Sequence, residues 1–257
     1  GKNPAHYLKD GKEVSIPGDE LFDNTRTVPI EGLGDFEAYP NRNSLPYIDL
    51  YGIPDARTML RGTLRFPGWC ETLKKISEIG LLDTAERNLA GMSGAKFVRS
   101  LLGMPADWNV KKAVRDRFKL DAKVLERLEW LGLFGEEPLG LERGAAIDVL
   151  EALMLKRLGY GENERDMVVL RHEFLAEGRD GKRERIAATL IHYGIPGGES
   201  AMSRTVGYPA AAAARLVLEG KINLTGVRVP VHPEIYEPIL EEIGGAGIAF
   251  AEDRRSA

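Results

Sequence analysis

Two apolar-rich runs, Met167 to Ala176 and Arg183 to His192, flank the segment Glu177-Gly178-Arg179-Asp180-Gly181-Lys182. Asp-Gly between two strand-like runs is a strong local hairpin signal, because both residues accept the positive φ that tight hairpin turns require. The pair commits this part of the chain to antiparallel β structure. Helical patterns lie on both sides of it, so the expected fold is α/β (α+β): a mixed, largely antiparallel sheet flanked by helices.

Residues 81 to 158 are predominantly helical in pattern. Asp121 predicts an N-cap for a helix over Ala122 to Leu131, with Val124, Leu125, Leu128 and Leu131 on one stripe. Ala145 to Leu158 repeats the pattern with Ile147, Leu150, Met154 and Leu158. A globular helix buries one face, so both stripes are expected in a core. Beyond the hairpin, Ser200 predicts a cap for a helix reaching toward Glu219, which Pro209 is expected to kink or divide because it has no amide hydrogen to donate. Another helix is expected from Pro233 to Ile243, then a glycine stop and a short strand within Gly244 to Phe250. Upstream, residues 1 to 40 are turn-rich, with short strands at Lys12 to Ile16 and Thr27 to Ile30. Arg57 to Phe66 reads as a strand, which Pro67-Gly68 breaks before a helix from Trp69 to Ile79.

The chemistry concentrates in Tyr39 to Trp69. Two arginine-bearing turns, Pro40-Asn41-Arg42-Asn43-Ser44 and Arg61-Gly62-Thr63-Leu64-Arg65, bracket an apolar piece and put three guanidinium groups into a short span. An arginine fork holds a carboxylate through two parallel charge-assisted hydrogen bonds, and Gly62 allows close approach to the backbone. This is a candidate polyanion site. Any such site must be local, because 35 Lys and Arg against 39 Asp and Glu leave a net charge of only -4. That balance argues against nonspecific attraction to nucleic acid or to an anionic membrane. The basic run Lys111, Lys112, Arg115, Arg117 and Lys119 reads as a solvated helix face.

Other chemistries lack their parts. Gly32-Leu33-Gly34 and Gly244-Gly245-Ala246-Gly247 do not make the glycine-rich turn that joins a strand to a helix in dinucleotide folds. Gly197-Gly198-Glu199-Ser200 reads either as an amide cradle for an anion or as a plain loop into a capped helix. No serine sits in a complete nucleophile elbow. His172 and His192 are expected to face one another across the hairpin, yet two histidines without a third ligand do not make a metal site. The single cysteine, Cys70, forms no internal disulfide and fits a reducing cytoplasm. No apolar run approaches the roughly 18 residues that span a bilayer.

Five segments taken in order, Tyr39 to Ser44 (YPNRNS), Tyr51-Gly52-Ile53, Arg61 to Trp69 (RGTLRFPGW), Tyr160 to Val169 (YGENERDMVV) and Ser200 to Pro209 (SAMSRTVGYP), together with Pro233 to Leu240 (PEIYEPIL), resemble the C-terminal, substrate-binding portion of the saccharopine dehydrogenase (glutamate-forming) family. The resemblance implies a substrate with three carboxylates, contacted by Arg42, Arg61 and Thr63, with Arg65 in a structural role. Asn43 stands where the family usually has aspartate. It implies NADP(H)-dependent reduction of the imine between aminoadipate semialdehyde and glutamate, or the reverse oxidation of saccharopine, in lysine metabolism. The cofactor is expected on a Rossmann lobe that this chain lacks, so no cofactor-binding or metal residue is expected here, and the resemblance assigns no catalytic residue. On this reading residues 1 to 193 form the substrate-binding domain, and residues 194 to 257 return to pack on that lobe. A homodimer is also expected. The arginine turns equally suit a carboxynorspermidine-type reductase, and a standalone binding or oligomerisation module is the third reading.

Overall fold

A computed structural model describes residues 3–257. The chain forms two compact units, the first ending at Gly159 and the second spanning Tyr160–Ala257. Every named strand pairing among the described residues is antiparallel, in small sheets flanked by helices. The expected fold class is therefore the observed one.

The first unit opens with the hairpin β1 (Ala5–Lys9) and β2 (Lys12–Ile16). Asp10 and Gly11 make its two-residue turn, both at positive φ (52° and 79°), and Lys9 pairs with Lys12. A 3-10 turn at Gly18–Asp23 leads to β3 (Arg26–Ile30) and β4 (Gly34–Pro40). After the short helix α1 (Pro46–Leu50), β5 (Gly62–Arg65) completes a three-stranded sheet in the order β3-β4-β5. The strand expected over Arg57 to Phe66 is thus shorter. Met59 instead exchanges two backbone hydrogen bonds with Leu8, at 3.0 and 3.1 Å.

The helical part follows with α2 (Trp69–Ile79), the two-residue strand β6 (Arg87–Asn88), α3 (Gly94–Leu101), α4 (Val110–Phe118) and α5 (Ala122–Leu131). It closes with β7 (Arg143–Gly144), paired to β6, and α6 (Ala146–Leu158). The starts of α3, α4 and α5 are capped by Ser93, Asn109 and Asp121, each accepting from the amide three residues on. Glycines in the left-handed region end α2 at Gly80 and α5 at Gly132. Phe97, Leu81, Leu128, Val124 and Val149 lie at the centre of the shared core.

In α6 the buried face is the expected one only in part: Leu150 is buried and Met154 packs against the core, as the pattern predicts. Ala146, Val149, Leu150 and Leu153 are buried, whereas Ile147 and Leu158 are exposed. The helix carries two apolar stripes, and the core takes the one whose small Ala146 permits close approach. On α4 the basic run is solvated as expected: Lys111 pairs with Glu129 at 2.7 Å, and Arg115 pairs with Asp116.

The second unit is built on β8 (Met167–Glu177) and β9 (Arg183–Tyr193), in register along their whole length. Helices α7 (Ala201–Leu218) and α8 (Pro233–Gly245) pack together, with Leu190 of β9, Ala212, Leu216, Ile239 and Ile243 in one cluster. Strand β10 (Ala251–Ser256) adds to the sheet, giving the order β10-β9-β8. Three expectations are corrected here. Pro209 does not divide α7, the second of the two outcomes expected for it, because the packing of Ala212 and Leu216 outweighs the hydrogen bond that proline removes. Gly244 and Gly245 belong to α8 rather than ending it, and the last strand lies beyond Phe250. His172 pairs with Ala188 and His192 with Val168, so the two histidines do not face each other. The compact units part at Gly159, whereas the sequence reading put the domain boundary at 193/194.

A methyl group on Gly94 would stand 2.4 Å from the Gly132 carbonyl oxygen and 2.9 Å from that of Leu133. Gly94→Ala is expected to destabilise the chain by about 1–3 kcal/mol, as overpacked cores do. Urea unfolding checks it: the midpoint should fall while the slope is unchanged.

Candidate functional site

The two arginine turns meet at Ser44. Its amide donates to the His6 carbonyl (2.7 Å), and its Oγ accepts from the Arg61 amide (2.9 Å). Only 1% of the residue is exposed. Two more backbone bonds tie the same place together, His6 amide to Arg42 carbonyl and Asn41 amide to Arg61 carbonyl, both 2.9 Å. Three segments distant in sequence, around His6, Arg42 and Arg61, are thereby locked to one another. Asn43 Oδ1 accepts from the Leu45 amide at 3.0 Å, an Asx turn that needs only an acceptor oxygen, which asparagine supplies as well as aspartate.

Arg42 holds φ at 53°, the left-handed region that side chains other than glycine rarely adopt. Its side chain is exposed, and so is that of Arg61. Among the described residues no carboxylate pairs with Arg42, Arg57 or Arg61. Arg61 instead lies over the Tyr47 ring, 4.4 Å from its centroid, which steers the guanidinium without neutralising it. Thr63 faces Tyr39 across the β4–β5 pair, half-buried. Arg65 lies over Trp69 at 4.8 Å, and Trp69 stacks on Tyr39 with Phe22 edge-on to both, so Arg65 belongs to an aromatic cluster. Gly62 is needed for a different reason from the one its neighbours suggest. A Cβ there would sit 3.0 Å from the Tyr39 carbonyl, so the close approach it permits is that of strand β4.

Ser44, His6 and Tyr47 were not legible as site residues. The serine gave a signal only as the polar end of a turn, and His6 comes from a strand 36 positions upstream of Arg42. Burial, then its hydrogen-bonded neighbour Glu37, push the Cys70 thiol up to about 12, which disfavours the thiolate. Its amide donates to Glu37 Oε1 at 2.6 Å. Among the described residues no cluster of three or more His, Cys, Asp or Glu is placed to hold a metal, and no helix is long and apolar enough to cross a membrane.

The glycine turn before α7 resolves to a capped helix start. Asp166 Oδ1 accepts from the Ala201 amide (2.6 Å) and Oδ2 from the Met202 amide (2.9 Å), while Ser200 Oγ takes the Ser203 amide (2.9 Å). Burial raises the Asp166 carboxyl, but the amides of Met202 and Ala201 outweigh it and hold the group below its usual range. The anion-binding end of α7 is filled by the chain's own carboxylate. That helix start is thus closed to a pyrophosphate by the chain's own carboxylate.

The family model described as the saccharopine dehydrogenase C-terminal domain matches residues 1–248. The chain belongs to that family. Within it, saccharopine dehydrogenase [NADP(+), L-glutamate-forming] of Saccharomyces cerevisiae is 37% identical over 252 residues, which cover 94% of this chain and 56% of the yeast protein. Mitochondrial alpha-aminoadipic semialdehyde synthase of Bos taurus is 36% identical, covering 96% of this chain and 28% of the bovine one. The apo structure of the yeast saccharopine dehydrogenase superposes with a TM-score of 0.89 at 35% identity, covering 99% of this chain and 59% of that one. The chain therefore spans about half the length of its fungal relatives. Its mixed α/β architecture is that of the saccharopine dehydrogenase C-terminal domain.

Two outcomes follow from this geometry. Ser44→Ala leaves the Arg61 amide without its acceptor and is expected to cost about 1–3 kcal/mol, read from urea unfolding. Asp166, with its pKa lowered on folding, stabilises above the ordinary aspartate range, and that contribution disappears as pH falls through the folded value. Asp166→Asn should therefore lower Tm at pH 7, and the difference should shrink in acid.

Proposed function

We propose that residues 1 to 193 are the substrate-binding part of a saccharopine dehydrogenase, holding saccharopine by its carboxylates through Arg42, Arg61 and Thr63. The observation that carries this reading is the pair of arginine turns locked through Ser44, with guanidinium groups that no carboxylate of the described chain neutralises. Fixed, unpaired arginines are what a ligand with several carboxylates requires. Arg61 is held by Tyr47 at the ring face, which leaves its edge free to donate.

In this reading NADP(H) is supplied by a separate nucleotide lobe, consistent with the relatives whose names specify NADP(+). The lobe presents the nicotinamide to the imine carbon, and this chain's contribution is to hold the substrate in place, since positioning is much of what a protein adds to hydride transfer. Residues 194 to 257 pack on that lobe. The exposed Met202, Val206 and Leu218 of α7 support this, because a helix in water does not usually present so many large apolar side chains. The assembled enzyme is a homodimer that interconverts saccharopine with glutamate and aminoadipate semialdehyde in a reducing cytoplasm.

Calorimetric titration of the chain with saccharopine tests the substrate assignment. Binding is expected, and Arg42→Ala or Arg61→Ala should each weaken it by roughly 10- to 100-fold, the equivalent of about 1.5–3 kcal/mol for a hydrogen bond to a charged group. Arg61→Lys should fail to restore it, because an ammonium cannot form the parallel pair of bonds. Binding indifferent to both alanine substitutions would overturn the assignment.

A further inference from the structure

The segment Tyr51-Gly52-Ile53 lies between the two arginine turns, and neither turn gives it a role. It ends α1, the short helix that leaves the Ser44 joint directly, where the Tyr47 amide donates to the Ser44 carbonyl at 3.2 Å. The amides of Tyr51, Gly52 and Ile53 then donate to the carbonyls of Tyr47, Asp49 and Ile48, each at 3.0 Å. Gly52 takes a φ of 65°, which glycine adopts without strain. The backbone of this segment is therefore fixed to the same polar joint that fixes Arg42 and Arg61.

Folding does not bury its side chains. Tyr51 is 53% exposed, and its neighbours Leu50 and Ile53 are 36% and 40% exposed. The Tyr51 ring packs on Tyr47, with centroids 5.5 Å apart and a tilt of 48°, and Tyr47 is the ring over which Arg61 lies. A held guanidinium and an open aromatic surface thus lie within one side chain of each other. Tyrosine presents such area at little entropic cost, because only two torsions need to be fixed.

The guanidinium groups answer to only part of the proposed ligand. Charge-assisted bonds to carboxylates are equally available to glutamate, whose skeleton saccharopine contains. What sets saccharopine apart is the aliphatic run of its lysine half. Donors alone would leave those methylenes in water, whereas an apolar surface beside the donors gains from each methylene it covers.

We infer that Tyr51, seated on Tyr47, is a specificity-determining residue whose exposed ring covers the aliphatic spacer of saccharopine while Arg61 holds a carboxylate at one end of it. This rests on the substrate assignment above, and adds to it the basis for choosing a long carboxylate ligand over a short one. Tyr47 has a different part: it is the positioning residue that orients the Arg61 guanidinium and supports the Tyr51 ring.

Calorimetric titration of the full chain with saccharopine, and with glutamate in competition, tests it. Tyr51→Ala should weaken saccharopine roughly 10-fold and leave glutamate within about twofold, as expected for lost apolar contact. The heat-capacity change on binding saccharopine should become less negative in the same variant, a signature of reduced apolar burial that a merely structural role would not produce. Tyr51→Phe keeps the ring and should bind both ligands as the parent does. Arg61→Ala should instead weaken both ligands together. Equal losses for the two ligands in Tyr51→Ala, or no loss for either, overturn the specificity role and leave the arginine assignment standing. A parent chain that binds no saccharopine, or binds it without loss on either arginine substitution, overturns the substrate assignment and this inference with it.

Discussion

Two hydrogen bonds at Ser44 organise the part of the molecule where the two arginine turns meet. A turn at Arg42 and a strand start at Arg61 are 19 positions apart, and neither has the apolar content to pack on the other. The buried serine replaces packing with polar pairing, amide to His6 and hydroxyl from Arg61. Low local dielectric makes such bonds strong and makes their loss costly. The left-handed Arg42 fits this picture. A strained residue persists only where its surroundings over-determine it, and its carbonyl, accepting from His6, is part of what fixes it.

Electrostatics in the same region run against the usual economy of protein surfaces. Lys74, Lys75, Arg87 and Lys156 all pair with nearby carboxylates. Arg61 and Arg65 are placed over aromatic rings instead. A ring face orients a guanidinium without competing for its hydrogen-bond donors, whereas a carboxylate would occupy them. For Arg65, enclosed beside the Phe22, Tyr39 and Trp69 cluster, the result is structural. For Arg61, exposed at the mouth of a turn, the result is a charge held in position and available.

Much of this was legible from local signals. Asp121 and Ser200 announced their caps, and Asp-Gly the β8–β9 hairpin, because each depends on neighbours within a few residues. What was illegible depends on distant partners. The face of α6 that enters the core was decided by α5 and β7, and Ile147 and Leu158 lost to Val149 and Leu153. Strand β10 is polar throughout and has no alternation to read, since it is defined by its bonds to β9. In the site, arginines in turns pointed to the charge but not to the serine that joins them, because a buried serine and a solvated one are identical in sequence.

The start of α7 shows how far the chain's own residues limit its chemistry. A helix N-terminus preceded by glycines is the usual place to receive a phosphate, with free amides and the positive end of the dipole both available. Here Asp166 reaches from the strand entry before β8 and takes two of those amides, and Ser200 takes a third. A bound anion would have to displace a carboxylate already stabilised by the same donors, which hold its pKa below the usual aspartate range. The cap also fastens the hairpin to the helix, so opening the amides to a ligand would loosen the second unit.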